Sequence, residues 1–291
     1  MFLVTGATGG IGRRVVRLLR QREQYVRAFV RLTSRYSELE YRGAEIFIGD
    51  LQLEKDIQKA TRGAKYVISA HGSDGDALSL DYRANIELID QAKVNGVQHF
   101  VFISVLGADR GYEDAPTFKA KRAVEQYLEA SGVNYTILRP SGLASNLLPL
   151  AEQFRETELY LLIGDRKNRT SIVSTDDLAK IVVDSVTVEG ARNQTLAVGG
   201  PEILLREDIP RIFGRIFNKE PVVINSPLFV IDGLRSGLGL FNPQAQTALG
   251  TYRTLLANEF FCTKDEIAKL EAIFNFQLET LENFLRRYLA V

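Results

Sequence analysis

The chain has 291 residues, 45% of them apolar and 25% charged, and its 36 basic residues balance 36 acidic ones. These are the proportions of an ordinary globular protein with a sizeable core, which excludes disordered and fibrous classes, and the balanced charge leaves no global field to recruit nucleic acid. The single cysteine, Cys262, excludes an intramolecular disulfide framework and points to a reducing compartment, read here as the cytoplasm.

The chain opens on Phe2–Thr5, read as a first strand rather than an export signal. Further strands are predicted at Tyr25–Val30, Ala44–Ile48, Tyr66–Ser69, His99–Ser104 and Asn134–Leu138. Between them, Gly10–Arg22, Leu53–Thr61, Leu80–Val94 and Phe118–Ala130 carry apolar residues three and four apart, as amphipathic helices do. That rhythm predicts an α/β fold, a doubly wound parallel Rossmann sheet. After Arg139-Pro140 it loosens, because a proline drives its predecessor out of helix.

Thr170–Val173 is expected to be another buried strand and Asp176–Ser185 a helix capped by Ser174 or Thr175, the pair returning the chain to the sheet. Gln194–Lys219 reads as a strand and a helix, and the remainder as mostly helical. The expected division is a dinucleotide-binding core, 1–140 with 165–200 returning to it, and a small, mostly helical C-terminal cap, 141–164 and 201–291. Pro221–Phe241 is broken by Asp232, Arg235 and turn formers, so it does not supply the roughly 20 apolar residues of a membrane span. Nine of the sixteen phenylalanines fall between Phe213 and Phe284, and pairs such as Phe213 with Phe217 and Phe260 with Phe261 fit core packing as well as a pocket or partner surface.

Thr5-Gly6-Ala7-Thr8-Gly9-Gly10-Ile11-Gly12 lies between a predicted strand and a predicted helix. In that setting Gly6 permits the sharp reversal, Gly9 lets a pyrophosphate approach the backbone, and Gly12 allows close helix packing. The unpaired amides of the helix start, with Thr8, Gly10 and Ile11 completing the turn, then face the anion. About 20 residues further on, where an acidic side chain would hold the ribose 2′-hydroxyl of NAD, stands Arg31. With Arg35, Arg13 and Arg14 it offers up to four guanidiniums to a 2′-phosphate, which favours NADP(H) and leaves NAD(H) as the alternative. Asp50, which Leu51 follows, can bond adenine or cap the next helix.

Gly6-Ala7-Thr8-Gly9 through Gly12, Val30-Arg31, Gly49-Asp50-Leu51, Ile103-Ser104, Lys121 with Glu125, Gly132 to Pro140 and Ser174-Thr175-Asp176-Asp177-Leu178 together resemble the NmrA-like branch of the atypical short-chain dehydrogenase/reductase superfamily. The likeness spans almost the whole chain. The segment Thr280 to Leu285 also resembles cyanobacterial and plastid members linked to photosystem II assembly or quinone binding, which leaves open a location peripheral to a thylakoid membrane. The resemblance implies a nucleotide contact at Ser69-Ala70-His71-Gly72 and a nicotinamide-side site at Ser104, Lys121 and Pro140 to Gly142. Lys121 would hold the nicotinamide ribose and Ser104 would orient a carbonyl.

Reductases of this superfamily carry a tyrosine four residues before the lysine, and here that position is Thr117, whose hydroxyl is far too weak an acid to donate a proton near neutral pH. Tyr112 and His71 are the candidate substitute acids. Two histidines, His71 and His99, are too few for a metal site or a catalytic relay. Two functions remain. The favoured one is an NADP(H)-binding regulator or assembly factor with little or no reductase activity, its cap engaging a protein. The alternative is an NADPH-dependent reductase of a quinone or another apolar carbonyl compound.

Overall fold

The computed structural model describes residues 1–72, 75–112, 115–239 and 242–290, so Phe241 of the aromatic-rich stretch lies outside the described residues. In chain order the elements are β1 (Phe2–Thr5), α1 (Gly10–Gln21), β2 (Val26–Val30), α2 (Ser37–Tyr41), β3 (Glu45–Ile48), α3 (Glu54–Thr61), β4 (Tyr66–Ser69), α4 (Ala84–Val94), β5 (His99–Ile103), α5 (Pro116–Ala130) and β6 (Tyr135–Pro140). They continue with α6 (Leu148–Thr157), β7 (Leu159–Ile163), β8 (Arg169–Thr170), α7 (Thr175–Asp184), β9 (Gln194–Val198), β10 (Leu204–Leu205), α8 (Asp208–Phe217), β11 (Val222–Ser226), α9 (Phe229–Gly239), α10 (Pro243–Ala257), α11 (Lys264–Phe274) and α12 (Leu281–Leu289). Two compact units result, Met1–Arg139 with Leu178–Leu196, and Pro140–Asp177 with Ala197–Val291.

A seven-stranded sheet runs in the order β3-β2-β1-β4-β5-β6-β9, with β1 to β6 paired in parallel. Strands β1 and β5 are buried along their whole length, which is why they read as unbroken runs rather than alternating ones. The order of strands reverses between β1 and β4, where Thr5 lies opposite Ser69, and such a switch point opens a crevice at the carboxyl ends of the strands. Leu3, Leu88, Phe100, Phe102, Val124 and Ile137 form the core of this unit.

The six predicted strands and the helices α1, α3 and α5 appear within a residue or two of their expected ends, α5 starting early because Pro116 takes its first turn. The helix expected from Leu80 begins instead as a π-helical turn, Ala77–Arg83, which Asp76 opens by accepting the Ser79 amide at 3.0 Å. Thr170–Val173 is not a strand of the main sheet. Only Arg169–Thr170 is extended, and it pairs antiparallel with β10, while Val173 exchanges backbone bonds with Gly142 and Ala144. The strand that completes the sheet is β9. Ser174, not Thr175, caps α7, its Oγ accepting the Asp177 amide at 3.4 Å, while Thr175 Oγ1 accepts the Ser145 amide. In the second unit β7 and β11 pair in parallel, a ribbon within the stretch expected to be mostly helical.

Phe154, Ile212, Phe213, Leu281 and Phe284 make the core of the second unit, with Phe154 and Phe213 ring centroids 5.7 Å apart and Phe217 packed against them. Phe213 and Phe217 are therefore core residues. The last helix is tied down by Arg287, which donates to Asp176 and to Glu279 at 2.7 Å each.

Behind β6 lies a fully buried carboxylate. Glu125 accepts Arg139 Nε at 2.8 Å and a second Arg139 nitrogen at 2.6 Å, while Arg122 contacts it at 3.0 Å. Removing Arg139 leaves the buried carboxylate to Arg122 alone, so Arg139→Met should cost up to about 3–5 kcal/mol in urea denaturation. A loss below about 1 kcal/mol would mean that water reaches Glu125.

Candidate functional site

The turn between β1 and α1 is set by a left-handed residue, Gly6, at φ +64°. A methyl group there would lie 2.6 Å from the backbone of Ala70 and His71, and one on Gly12 would strike the Gly6 carbonyl. Both glycines are thus required by close backbone approach. At Gly9 a Cβ would meet only the Gly6 carbonyl oxygen, at 3.2 Å. Gly9 is the N-cap of α1 with no side-chain cap, and the first turn carries no acid, which leaves the helix-start amides to an anion. Around them Thr8 and Ile11 are half-buried and Gly10 is exposed.

Arg31 is exposed at the end of β2 and makes no ion pair among the described residues. It lines a cleft of about 470 Å³ with Thr33, Gly49, Asp50 and Asp56. Arg13 is engaged elsewhere, donating to Glu38 at 2.9 Å and to the carbonyls of Thr8 and Arg35. With Arg42 it holds the Glu38 carboxyl below the usual carboxylate range. Arg14 donates to the Gly10 carbonyl at 2.8 Å. The expected set of four guanidiniums therefore contracts to Arg31 and Arg35, Arg13 serving to pin the loop that carries Arg35. Asp50 does not cap α3, whose N-cap is Leu53; its Oδ1 accepts the Gln52 amide at 2.9 Å. Leu51 packs on the core.

Beyond β4, His71 is 8% exposed. Its Nε2 faces the Leu80 carbonyl at 3.0 Å, an acceptor only, so Nε2 carries the proton and Nδ1 accepts from the Thr5 hydroxyl at 2.8 Å. Ser69 donates to Asn85 Oδ1 at 2.6 Å, and Asn85 donates to the Asp81 carbonyl at 2.9 Å. Burial pushes the His71 imidazole down to about 4, and the ring stays neutral at physiological pH. His71 is therefore not a substitute acid but a bolt between β1, β4 and the π-helical turn. Ala70, half-buried, faces Gly6 through its backbone.

Lys121 is buried, and its Nζ donates to the Ile103 carbonyl at 2.9 Å and stands 5.1 Å from the Phe102 ring centroid. Burial pulls the ammonium below the usual lysine range, opposed by the charges of Asp81 and Glu125. Asp81 was not legible in the sequence as part of this cluster, because the π-helical turn that carries it does not follow the 3.6-residue period. Ser104 is 4% exposed, and its Oγ has no hydrogen-bond partner among the described residues. Such an orphaned hydroxyl costs about 1–3 kcal/mol unless a ligand completes it. Thr117 is half-buried one turn before Lys121 on α5. Tyr112 packs edge-on against Phe118, ring centroids 5.3 Å apart.

The second unit contains a pocket of about 510 Å³, mostly apolar, lined among others by Leu147, Leu162, Ile209, Tyr160, Arg206 and Phe260. Pro140 is buried at the end of β6, and Ser141 and Gly142 after it also line the pocket. Sequence reasoning missed Tyr160 and Arg206. Burial raises the Tyr160 phenol to about 12, so it remains protonated.

A glycine turn at the switch point of a doubly wound sheet defines a dinucleotide-binding protein. A family model described as NAD(P)H-binding matches residues 6–189, and the chain belongs to that NAD(P)H-binding family. Photosystem II assembly factor Ycf39 of Cyanophora paradoxa is 26% identical over 298 residues, covering 98% of this chain and 91% of that protein. The NAD(P)H azoreductase of Xenophilus azovorans is 33% identical over 207 residues, 70% of this chain and 69% of its own. In fold the chain is similar to an NADPH-dependent quinone oxidoreductase of Escherichia coli complexed with NADPH, with a TM-score of 0.77 at 18% identity over 99% of this chain and 100% of that one. These are relatives of the kind an NmrA-like atypical short-chain dehydrogenase/reductase has. Among the described residues no helix is long and apolar enough to cross a membrane.

Charge-assisted bonds to a phosphate contribute about 1.5–3 kcal/mol, so Arg31→Ala should weaken NADPH at least tenfold in calorimetric titration while changing NADH little. Equal losses would remove Arg31 from a 2′-phosphate role. A second expectation concerns pH. His71 and His99 are both pushed down to about 4 by burial, so below pH 6.5 the unfolded chain binds more protons than the folded one. Their contribution to stability is full above pH 6.5 and is lost as pH falls toward 4, on the order of 3 kcal/mol for the buried His71 ring. NMR of the imidazoles should find both neutral down to about pH 5, and a ring titrating near its ordinary value would show that it is not buried.

Proposed function

We propose that this protein is an NADPH-dependent reductase of an apolar, conjugated acceptor of the quinone type. The observation that carries the reading is the cap pocket: at about 510 Å³ it has room for a fused ring system, and its lining is mostly apolar. The α1 amides and Arg31 hold the phosphates of the cofactor, Asp50 is offered to its adenosine, and the Lys121 ammonium and the buried Ser104 hydroxyl supply donors beyond β5. Bound NADPH would supply a hydride. A conjugated acceptor spreads the charge it gains, which relaxes the need for the strong acid that Thr117 does not provide. The azoreductase and quinone oxidoreductase relatives support the same class of acceptor.

A second reading, an NADP(H)-binding regulator or assembly factor, is favoured by one observation. The Lys121 ammonium donates to a backbone carbonyl, His71 is neutral, and Thr117 stands in the tyrosine position, so none of these three is the acid that a reductase tyrosine would be. Two measurements separate the readings. NADPH should bind, with fluorescence enhancement of the nicotinamide, and Gly9→Val should weaken it at least tenfold while the far-UV spectrum stays near wild type, because the added Cβ meets one backbone oxygen, that of Gly6 at 3.2 Å, and no packed side chain. A short-chain quinone should then drive repeated NADPH oxidation. Binding without oxidation across a panel of quinones would favour the regulator, and no binding would remove both.

A further inference from the structure

We propose that the cap pocket selects ligands that carry one negative charge on an apolar ring, with Arg206 and Tyr160 as the residues that read the charge. This rests on the reductase reading for the ring and adds the charge to it.

Among the described residues, two arginines and no aspartate or glutamate line the pocket. Arg169 is already neutralised: it donates to both oxygens of Glu259, at 2.7 and 2.6 Å, and its guanidinium lies 4.1 Å from the Phe261 ring centroid. Arg206 has no ion pair among the described residues. Its terminal nitrogens donate to backbone carbonyls at the end of α10, those of Leu255, Leu256 and Asn258, and to Ile163. Those carbonyls carry only the partial negative charge of a helix C-terminus, and Asp165, whose charge also reaches the guanidinium, makes no ion pair with it among the described residues. None of these bonds uses Nε, which remains a donor.

Tyr160 supplies the second donor. Its ring is held edge-on against Phe213, centroids 5.8 Å apart, and its hydroxyl has no hydrogen-bond partner among the described residues. Burial keeps this phenol protonated. A half-buried cation and a protonated phenol in an apolar pocket without a carboxylate are complementary to a carboxylate or an enolate. A neutral ring would leave the residual charge of Arg206 facing apolar surface.

The test is calorimetric, on the full chain saturated with NADP⁺ so that the anion site of the glycine turn is filled. The probes are 2-hydroxy-1,4-naphthoquinone, a vinylogous acid that is an enolate at neutral pH, and its neutral methyl ether. The enolate should bind the wild type at least about tenfold more tightly. Tyr160→Phe, which leaves the α10 carbonyls covered, should narrow the gap several-fold, and Arg206→Met should close most of it. Arg206 also caps α10, so the wild-type pair and Tyr160→Phe decide the matter if Arg206→Met does not fold. Equal affinities in the wild type, or a gap that Tyr160→Phe leaves intact, would overturn the proposal. Oxidation of NADPH by the methyl ether without enolate preference would leave the reductase reading standing alone. Enolate preference without oxidation of NADPH by either quinone would support the charge selection and remove the reductase.

Discussion

The contact on which the nucleotide unit depends is backbone against backbone, where the turn after β1 meets the end of β4. Gly6 stands where any side chain would overlap Ala70 and His71, and Gly12 stands where one would overlap Gly6 itself. This closeness aims the first amides of α1 into the switch-point crevice with no side chain of their own to cap them. It also fixes where the chain after β4 must turn, which brings His71 under the turn and buries it.

Burying polar groups at a sheet edge is costly unless each finds a partner, and the arrangement divides them into two sets. Thr5, Ser69, His71 and Asn85 satisfy one another and the carbonyls of the π-helical turn, so they build the wall. Ser104 and Lys121 are incompletely used. Among the described residues the serine hydroxyl has no partner, and the ammonium spends one of its three donors on Ile103. Groups left in that state beside a ligand crevice are the ones whose bonding a ligand can complete. The same accounting separates the arginines: Arg13 is consumed in holding the loop after β2, and Arg31 is not.

The alternation of short buried strands with amphipathic helices made the sheet legible, because a parallel strand covered on both faces reads as an unbroken apolar run and its crossover helix reads with a period near four. The glycine turn was legible for the same reason, since strand, turn and helix came in that order. What escaped was non-local. Thr170–Val173 has the composition of a buried strand, yet its partners Gly142, Ala144 and Leu204 lie elsewhere in the chain and draw it away from the sheet. The pocket escaped in the same way. Tyr160 and Arg206 are about 46 residues apart, neither belongs to a local motif, and only folding brings them to one cavity. The guanidiniums were over-counted because nothing local says that Glu38 claims Arg13.

A nucleotide unit of this kind tells which cofactor is held more readily than what is done with it, because function on a shared fold resides in the residues grafted onto it. An assembly factor and an azoreductase both align with this chain, so the features they share do not distinguish their roles. The distinguishing chemistry has to lie where the second unit departs from mere packing. Most of its aromatic residues do pack: Phe154, Phe213 and Phe284 are fully buried against one another's helices. Tyr160 and Arg206 do not end their bonding there. A guanidinium that served only to cap α10 would need no apolar cavity beside it, and a phenol that served only as core would be matched as well by phenylalanine. That both sit on one cavity wall is the physical reason to look for its ligand among anions.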